Sequence, residues 1–504
     1  MLSNLNDMQK KAVMHKEGPL LILAGAGSGK TKVLTTRIAY LIKEGISPEN
    51  ILAITFTNKA AKEMKERIEV LVGKTNLWAS TFHSFGVRLL RENYENLGYK
   101  NNFVIMDSDD SITLVKKIIK DLGYDPKRFS PYMIRNKISS NKSEFIMPGE
   151  YKKFVHGEED DLVYKVYKKY QEILFKNNSV DFDDLLILPI KLFRENPDVL
   201  EFYQEKYKYI MVDEYQDTNE AQYLLIKLLA EKYRNLACVG DNDQSIYMFR
   251  GANYKNILNF EKDYSDAEVI MLEQNYRSTK TILNAANSVI KNNNFRKDKN
   301  LWSDKEEGDK ISFYKSYDEI DEVFYTIRKI KELISSGVAY KDIAILYRTN
   351  AQSRVFEQEL LKQNLPFRIV GSFYFYSRKE IKDLLAYLRL IHNSDDDISL
   401  MRCINTPKRG IGPKTISEIE QNATFYNTSM FEAIKDGKAL EFKNIILQLK
   451  NELGNTTLTE FIDKVLDKSG MRDALKAEKS LEADIRLENL EEFKSVTKNF
   501  EERV

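Results

Sequence analysis

Residues Ala24-Gly25-Ala26-Gly27-Ser28-Gly29-Lys30-Thr31 sit between the apolar run LLILA (20–24) and the helical pattern VLTTRIAYLI (33–42). No other stretch constrains the fold as tightly. A short buried strand, a glycine-rich turn and a helix opening on Lys-Thr form the setting of a phosphate-binding loop. Glycines let backbone N–H groups turn toward phosphate oxygens, and the helix N-terminus adds partial positive charge. In that geometry Lys30 reaches the β- and γ-phosphates and the Thr31 hydroxyl can ligate Mg²⁺. The first position of the pattern is usually glycine, and here it is Ala24.

A second element carries the expectation from a glycine-rich turn to nucleotide hydrolysis. The apolar run YIMV (209–212) leads directly into Asp213-Glu214-Tyr215-Gln216-Asp217. Acids at the carboxyl end of a buried parallel strand lie where open α/β sheets bind ligands. Asp213 is the expected Mg²⁺ holder, and Glu214 the group that orients and deprotonates the attacking water.

Further Ile-, Val- and Leu-rich runs recur at ILAITF (51–56), LACVG (236–240) and VIMLE (269–273), alternating with helical patterns, so the fold class is α/β. The strand signal vanishes between about 108 and 185, which predicts a helical insertion. It returns in ISFYKS (311–316), IAILYRT (343–349) and FRIVGS (367–372), and from about 377 the pattern is helical. In the last stretch Leu490, Phe493, Val496 and Phe500 recur at helical spacing. The 504 residues carry 77 basic and 76 acidic side chains, net +1, so any nucleic-acid site must be a local groove. Two cysteines, Cys238 and Cys403, have no metal-ligand spacing, which argues against a zinc site or a disulfide framework. The polar N-terminus lacks the layout of a signal peptide and no apolar run spans a bilayer, so a cytoplasmic protein with no membrane partner is expected.

Longer motifs occur in one order along the whole chain: LNDMQKKAV (5–13), AGAGSGKT (24–31), ITFTNKAAKEM (54–64), TFHSF (81–85), DFDDLL (181–186), VDEYQDTN (212–219), VGDNDQSIYMFRGA (239–252), LEQNYRS (272–278) and LYRTNAQSR (346–354). In these the sequence resembles the UvrD/Rep/PcrA family of superfamily I DNA helicases, most nearly its PcrA-like branch. The resemblance implies two RecA-like phosphate-loop motor domains, each with a mainly helical insertion. The motor segments would be 1–107, 188–277 and 278–376, and the insertions 108–187 and 377–504.

The resemblance also implies roles. ATP with Mg²⁺ would be held by the loop residues 24–31, by Gln9 at the adenine edge, and by Tyr276 stacked on the base. Arg277 would act as an arginine finger, and Gln244 would couple the γ-phosphate to the DNA groove. Phe56, Tyr247 and Phe249 become stacking candidates for single-stranded DNA, with Thr55, Asn58, His83 and Arg250 as polar or phosphate contacts. In PcrA-like sequences Trp is common at the position of Phe249, and in the family Arg is common at that of Lys32. The turn Pro407-Lys408-Arg409-Gly410-Ile411-Gly412 resembles a hairpin that contacts duplex DNA, and equally suits a plain helix–helix turn.

The implied activity is ATP-driven, 3′-to-5′ translocation on single-stranded DNA with unwinding at single/double-strand junctions. It would serve repair or replication, alongside proteins of those pathways, in a monomer or weak dimer. Family motifs of the types TxHxSKGLE and RRLxYVxxTRA do not occur. That predicts a chain stopping short within its second motor domain, and, as an alternative, an ATP- and DNA-binding module with little unwinding. A motor subunit of a helicase–nuclease complex is a third reading.

Overall fold

A computed structural model describes residues 1–293, 296–370, 376 and 378–501. Its centre is a six-stranded, all-parallel sheet built from β1 (Leu20–Ala24), β2 (Ile51–Thr55), β3 (Trp78–Thr81), β6 (Tyr209–Val212), β7 (Asn235–Gly240) and β8 (Glu268–Leu272). The spatial order is β3-β2-β6-β7-β1-β8. The five apolar runs of residues 20–273 each form one of these strands. Edge strand β3, with the sequence WAST, carries no long aliphatic run and gave no signal.

Alternation along β1 shows why the strands read as continuous hydrophobic runs. Leu21 and Leu23 pack into one core with Phe85, Leu89, Leu185 and Leu225. Leu20, Ile22 and Ala24 face the other way and pack with Ala12, Val33, Ile38, Met64 and Ile68. Helices cover both faces, so every β1 side chain is buried. Both free cysteines are buried apolar side chains, Cys238 in this sheet and Cys403 in the last helical core.

A short parallel pair, β4 (Val104–Ile105) with β5 (Ser179–Val180), brackets the helical insertion. Within it the helices Ser108–Asp121, Pro131–Ser143 and Glu158–Lys176 share a core of Leu114, Ile118, Ile138, Val166 and Tyr167. The later helices, from Lys379 to Glu501, enclose a separate core that includes Tyr387, Phe442, Ile446 and Phe461. In the last of these helices Leu490 and Phe493 are buried and Phe500 is exposed, while the Val496 side chain lies outside the described residues.

The second α/β stretch differs from expectation. The described residues of 311–316, 343–349 and 367–370 enter no sheet ladder, and residues 371–372 lie outside the described residues. Among the described residues, a small cluster of Val323, Ile327 and Leu360 packs the two neighbouring helices together. Phe313 and Leu346 remain 88% and 93% exposed. A parallel strand is stable when ladders and helices cover it on all sides, and the described residues of these runs have no ladder.

Candidate functional site

The sequence-derived candidates converge on the carboxyl edge of the six-stranded sheet. Phe56 follows β2, His83 follows β3, Glu214 follows β6, Gln244 follows β7, Tyr276 follows β8, and the phosphate loop follows β1. Parallel strands place all their carboxyl ends on one side, and ligands bind there in open α/β sheets.

The loop itself is built by backbone conformation and close packing. Gly27 and Gly29 have φ of 67° and 87°, a region that side chains disfavour. A Cβ on Gly27 would stand 2.6 Å from Asn275 Nδ2 and 2.8 Å from Arg277 Cβ. The approach is real contact: Asn275 Nδ2 donates to the Ala26 carbonyl at 2.5 Å, and Tyr276 N donates to the Gly27 carbonyl at 2.9 Å. Ser28 Oγ donates to the Gly25 carbonyl at 2.7 Å, so this buried side chain closes the turn. Lys30 and Thr31 open the helix Lys30–Lys43, and the Lys30 Nζ lies 3.2 Å from Glu214 Oε2.

Gln9 is nearly fully buried and already engaged. Its Nε2 donates to the Ser28 carbonyl at 2.9 Å, and its Oε1 accepts from Asn6 N in a capping box. It therefore braces the loop in this state, and a base-reading role needs its amide to be released. Tyr276 is exposed, with its hydroxyl beside Asn6 and Gln274, and Arg277 is exposed with its Cβ against the loop. Lys32 points away and donates to the Asn4 carbonyl at 2.7 Å.

The acidic side is strained and desolvated. Glu214 adopts φ 52°, a left-handed conformation of the kind that collects at functional sites. Burial, with the Glu214 carboxylate as second cause, pushes the Asp213 carboxyl up to about 6 against the pull of Lys30. Asp217 is raised to about 6 by the same two causes, and its Oδ1 is buried without a hydrogen-bond partner. A divalent cation suits such a site, because it favours the ionised forms of acids that burial disfavours. Asp213, directly after β6, and Thr31, in the first turn of the helix Lys30–Lys43, are the residues that could hold it.

Five participants escaped the sequence reading. Gln216 Nε2 donates to Glu214 Oε2 at 2.9 Å while its Oε1 accepts from Asp241 N at 2.9 Å. Asp241 accepts from Gln244 Nε2 at 2.5 Å and pairs with the buried Lys299. Lys299 also lies 2.9 Å from Asp243, which binds Arg296 through two contacts of 2.9 Å. A polar chain thus runs from Lys30 through Glu214, Gln216 and Asp241 to Gln244. Gln216 lies within the motif VDEYQDTN, whereas Arg296 and Lys299 belong to no motif.

The aromatic candidates form a second group on the same edge. The rings of Phe56 and Tyr247 lie 5.0 Å apart, and those of Tyr247 and Phe249 6.0 Å apart. Arg348 sits over Phe249 at 5.1 Å. Asn58 is exposed and accepts from Ser84 Oγ at 3.3 Å. His83 stacks on Phe182 at 3.9 Å, with Phe182 itself 52% exposed. Burial lowers the His83 imidazole to about 4, so it is neutral near pH 7. Phe182, within DFDDLL, is an aromatic that sequence reasoning left without a role. Thr55 departs from expectation: it ends a central strand and is 1% exposed, so its hydroxyl is not on this surface. The Arg250 side chain lies outside the described residues.

The turn at 407–412 also resolves in part. Arg409 donates to the carbonyls of Cys403, Pro407 and Ser469 and to the Tyr387 hydroxyl, so it holds helices together. Lys408 is exposed.

Comparison with known proteins agrees with this architecture. A family model described as the UvrD/REP helicase N-terminal domain matches residues 5–265, and one described as the UvrD-like helicase C-terminal domain matches residues 270–503. The protein named ATP-dependent DNA helicase PcrA of Bacillus subtilis (strain 168) is 54% identical over 518 residues, covering 100% of this chain and 70% of that protein. Proteins of the same name from Staphylococcus epidermidis (strain RP62A) and Staphylococcus aureus (strain Mu50) are 52% and 51% identical over 516 residues, covering 100% of this chain and 71% of theirs. With its parallel sheet, phosphate loop and matching domains, the chain belongs to the UvrD-like helicase family.

Proposed function

We propose that the protein is an ATP-dependent DNA helicase that couples ATP hydrolysis to 3′-to-5′ movement on single-stranded DNA and to opening of duplex at junctions. One observation carries the reading: a phosphate loop and an aromatic row share one sheet edge, joined by the Lys30–Glu214–Gln216–Asp241–Gln244 chain. The names of the relatives support it.

In this reading Lys30 and the loop N–H groups bind the β- and γ-phosphates, and Arg277 offsets charge on the transferred group. Mg²⁺ bound by Thr31 and Asp213 would neutralise phosphate charge. Glu214, held 3.2 Å from Lys30 in this state, is freed as the lysine turns to phosphate and then accepts a proton from water. Gln244 leaves Asp241 to meet the γ-phosphate. Because Gln244 precedes Tyr247 and Phe249 by a few residues, its movement shifts the stacking row, which grips bases through their faces. Tyr276 stacks on the base, and Gln9 reads it once released from Ser28.

Replacing Lys30 with Ala should lower DNA-stimulated ATP hydrolysis by at least about 100-fold, the scale of losing one donor to developing charge. Turnover equal to wild type would remove the phosphate-loop assignment. A strand-displacement assay with the duplex on either side of a single-stranded tail tests the direction.

A second reading, ATP and DNA binding with little unwinding by these 504 residues, is favoured by the exposed and unpaired runs at 311–316 and 343–349. DNA-stimulated hydrolysis without strand displacement would select it. The described helices include none long and apolar enough to cross a membrane, and a cytoplasmic site of action in repair or replication accompanies the proposal.

A further inference from the structure

A buried cation outside the nucleotide site joins the helical insertion to the aromatic row. Lys142, in the last turn of Pro131–Ser143, is 0% exposed. Its Nζ lies 2.7 Å from Asp181 Oδ2 and 2.8 Å from Asp184 Oδ1. The two carboxylates cap each other's backbone: Asp184 N donates to Asp181 Oδ1 at 2.8 Å, and Asp181 N to Asp184 Oδ2 at 3.1 Å. Tyr170 OH donates to Asp181 Oδ2 at 3.0 Å. Charges buried this deeply hold only when every lone pair is engaged, and removing one partner is costly.

The turn so fixed carries Phe182 between the two acids, and Phe182 is the exposed ring stacked on His83. From the motor side the same segment is gripped by close packing. A Cβ on Gly86, in the helix Phe82–Glu92 that bears His83, would stand 1.9 Å from the Leu185 carbonyl oxygen. The residue after Lys142 touches the other end of the row. A Cβ on Gly251 would stand 3.3 Å from the Ser143 Cβ and Oγ, and Gly251, at φ 85°, caps the turn Met248–Arg250 that presents Phe249. One helix end thus contacts the supports of both exposed rings.

We propose that Lys142 is a positioning residue for single-stranded DNA: by pinning the Asp181–Asp184 turn it holds Phe182 on His83 as a stacking platform, and through Ser143 it fixes that platform relative to Phe249. The inference rests on the reading of the aromatic row as the DNA surface. Lys142 touches neither nucleotide nor nucleic acid; it sets where a base can stack.

The test uses DNA-stimulated ATP hydrolysis of the full chain, with oligothymidylate as the probe, in two variants. The double variant Lys142→Met/Asp184→Asn removes the cation and one of its two acids, leaving Asp181 with the Tyr170 hydroxyl and the residue-184 backbone N–H as donors. Asp181→Asn retains the Lys142–Asp184 pair and an acceptor for Asp184 N, and it tests the same turn if the double variant fails to fold. Each should raise the half-saturating DNA concentration about tenfold, within the range expected for one stacked base, while turnover at saturating DNA and without DNA stays near wild type. In a Phe182→Ala background the same substitutions should add nothing further, because the ring they position is gone. Wild-type half-saturation in a folded variant, or losses that add fully to those of Phe182→Ala, would overturn the proposal. Absence of DNA stimulation in the wild-type protein would instead overturn the helicase reading on which it rests.

Discussion

At the scale of single residues, the balance at Asp213 decides the pH behaviour of the site. Its carboxyl is raised to about 6 from an ordinary 3.8, chiefly by burial. Ionisation is therefore disfavoured in the nucleotide-free protein. The stabilising contribution of the neutral acid is present below 3.8 and is lost as pH rises through about 6. Catalysis needs the opposite state, because a protonated acid is a poor Mg²⁺ ligand. The nucleotide-free protein should gain stability from this group as pH falls through about 6 toward 3.8. Thermal melting of wild type and Asp213→Asn across that window checks it. The wild-type curve should carry an extra rise toward acid that the variant lacks, and parallel curves would refute burial of Asp213 as its source. Lys30, Asp213 and Glu214 were legible in the sequence because strand-end chemistry is local. Gln216 and Lys299 were not, because their role lies in partners brought together by the sheet.

At the scale of elements, the loop between β1 and the helix Lys30–Lys43 is shaped by the segment after β8. Asn275 and Arg277 occupy the space that a Gly27 side chain would need, and Leu301 does the same at Gly25. Gly27→Ala should then weaken ATP binding. It should also cost about 1–3 kcal/mol of local strain, since its φ of 67° is a left-handed conformation. Isothermal titration with a non-hydrolysable ATP analogue measures the first and thermal melting the second. Wild-type affinity would mean that the cradle is more open than its packing implies. The runs at 311–316 and 343–349 mark the limit of periodicity as a guide. Their composition suits strands, yet a strand exists only through its neighbours, and no described residue pairs with these.

Across the whole molecule, the two helical regions meet through polar contacts. Arg389 Nη1 lies 2.7 Å from Asp110 Oδ2, Lys382 pairs with Asp109, and Lys100 pairs with Asp395. Asn393 Nδ2 donates to the Asn177 and Asn178 carbonyls at 3.0 and 3.2 Å. Among the described residues, Ile398 and Met401 cross into the apolar core of the insertion. Loss of a half-buried charge partner leaves Asp110 desolvated beside Asp107, at a cost of about 1–3 kcal/mol. Arg389→Ala should therefore speed amide exchange in Lys379–His392 and Ser108–Asp121 on the order of tenfold, with exchange in the six-stranded sheet unchanged. Unaltered exchange in both helices would show that the apolar contact alone holds the regions together.

What the sequence determined by itself was the set of local units with their own chemistry: the strand–loop–helix at 20–43, the acids after β6, and the order of motifs that marks the family. Each rests on neighbours within a few residues, so periodicity, glycine and charge suffice to recognise it. Only the tertiary structure decided which units face one another. It buried Thr55, engaged Gln9 with Ser28, and brought Phe182 onto His83. It also enclosed Lys142 between two acids about forty residues away. The physical reason is that burial and ion pairing depend on distance in space, and parallel strands bring together side chains that lie far apart along the chain.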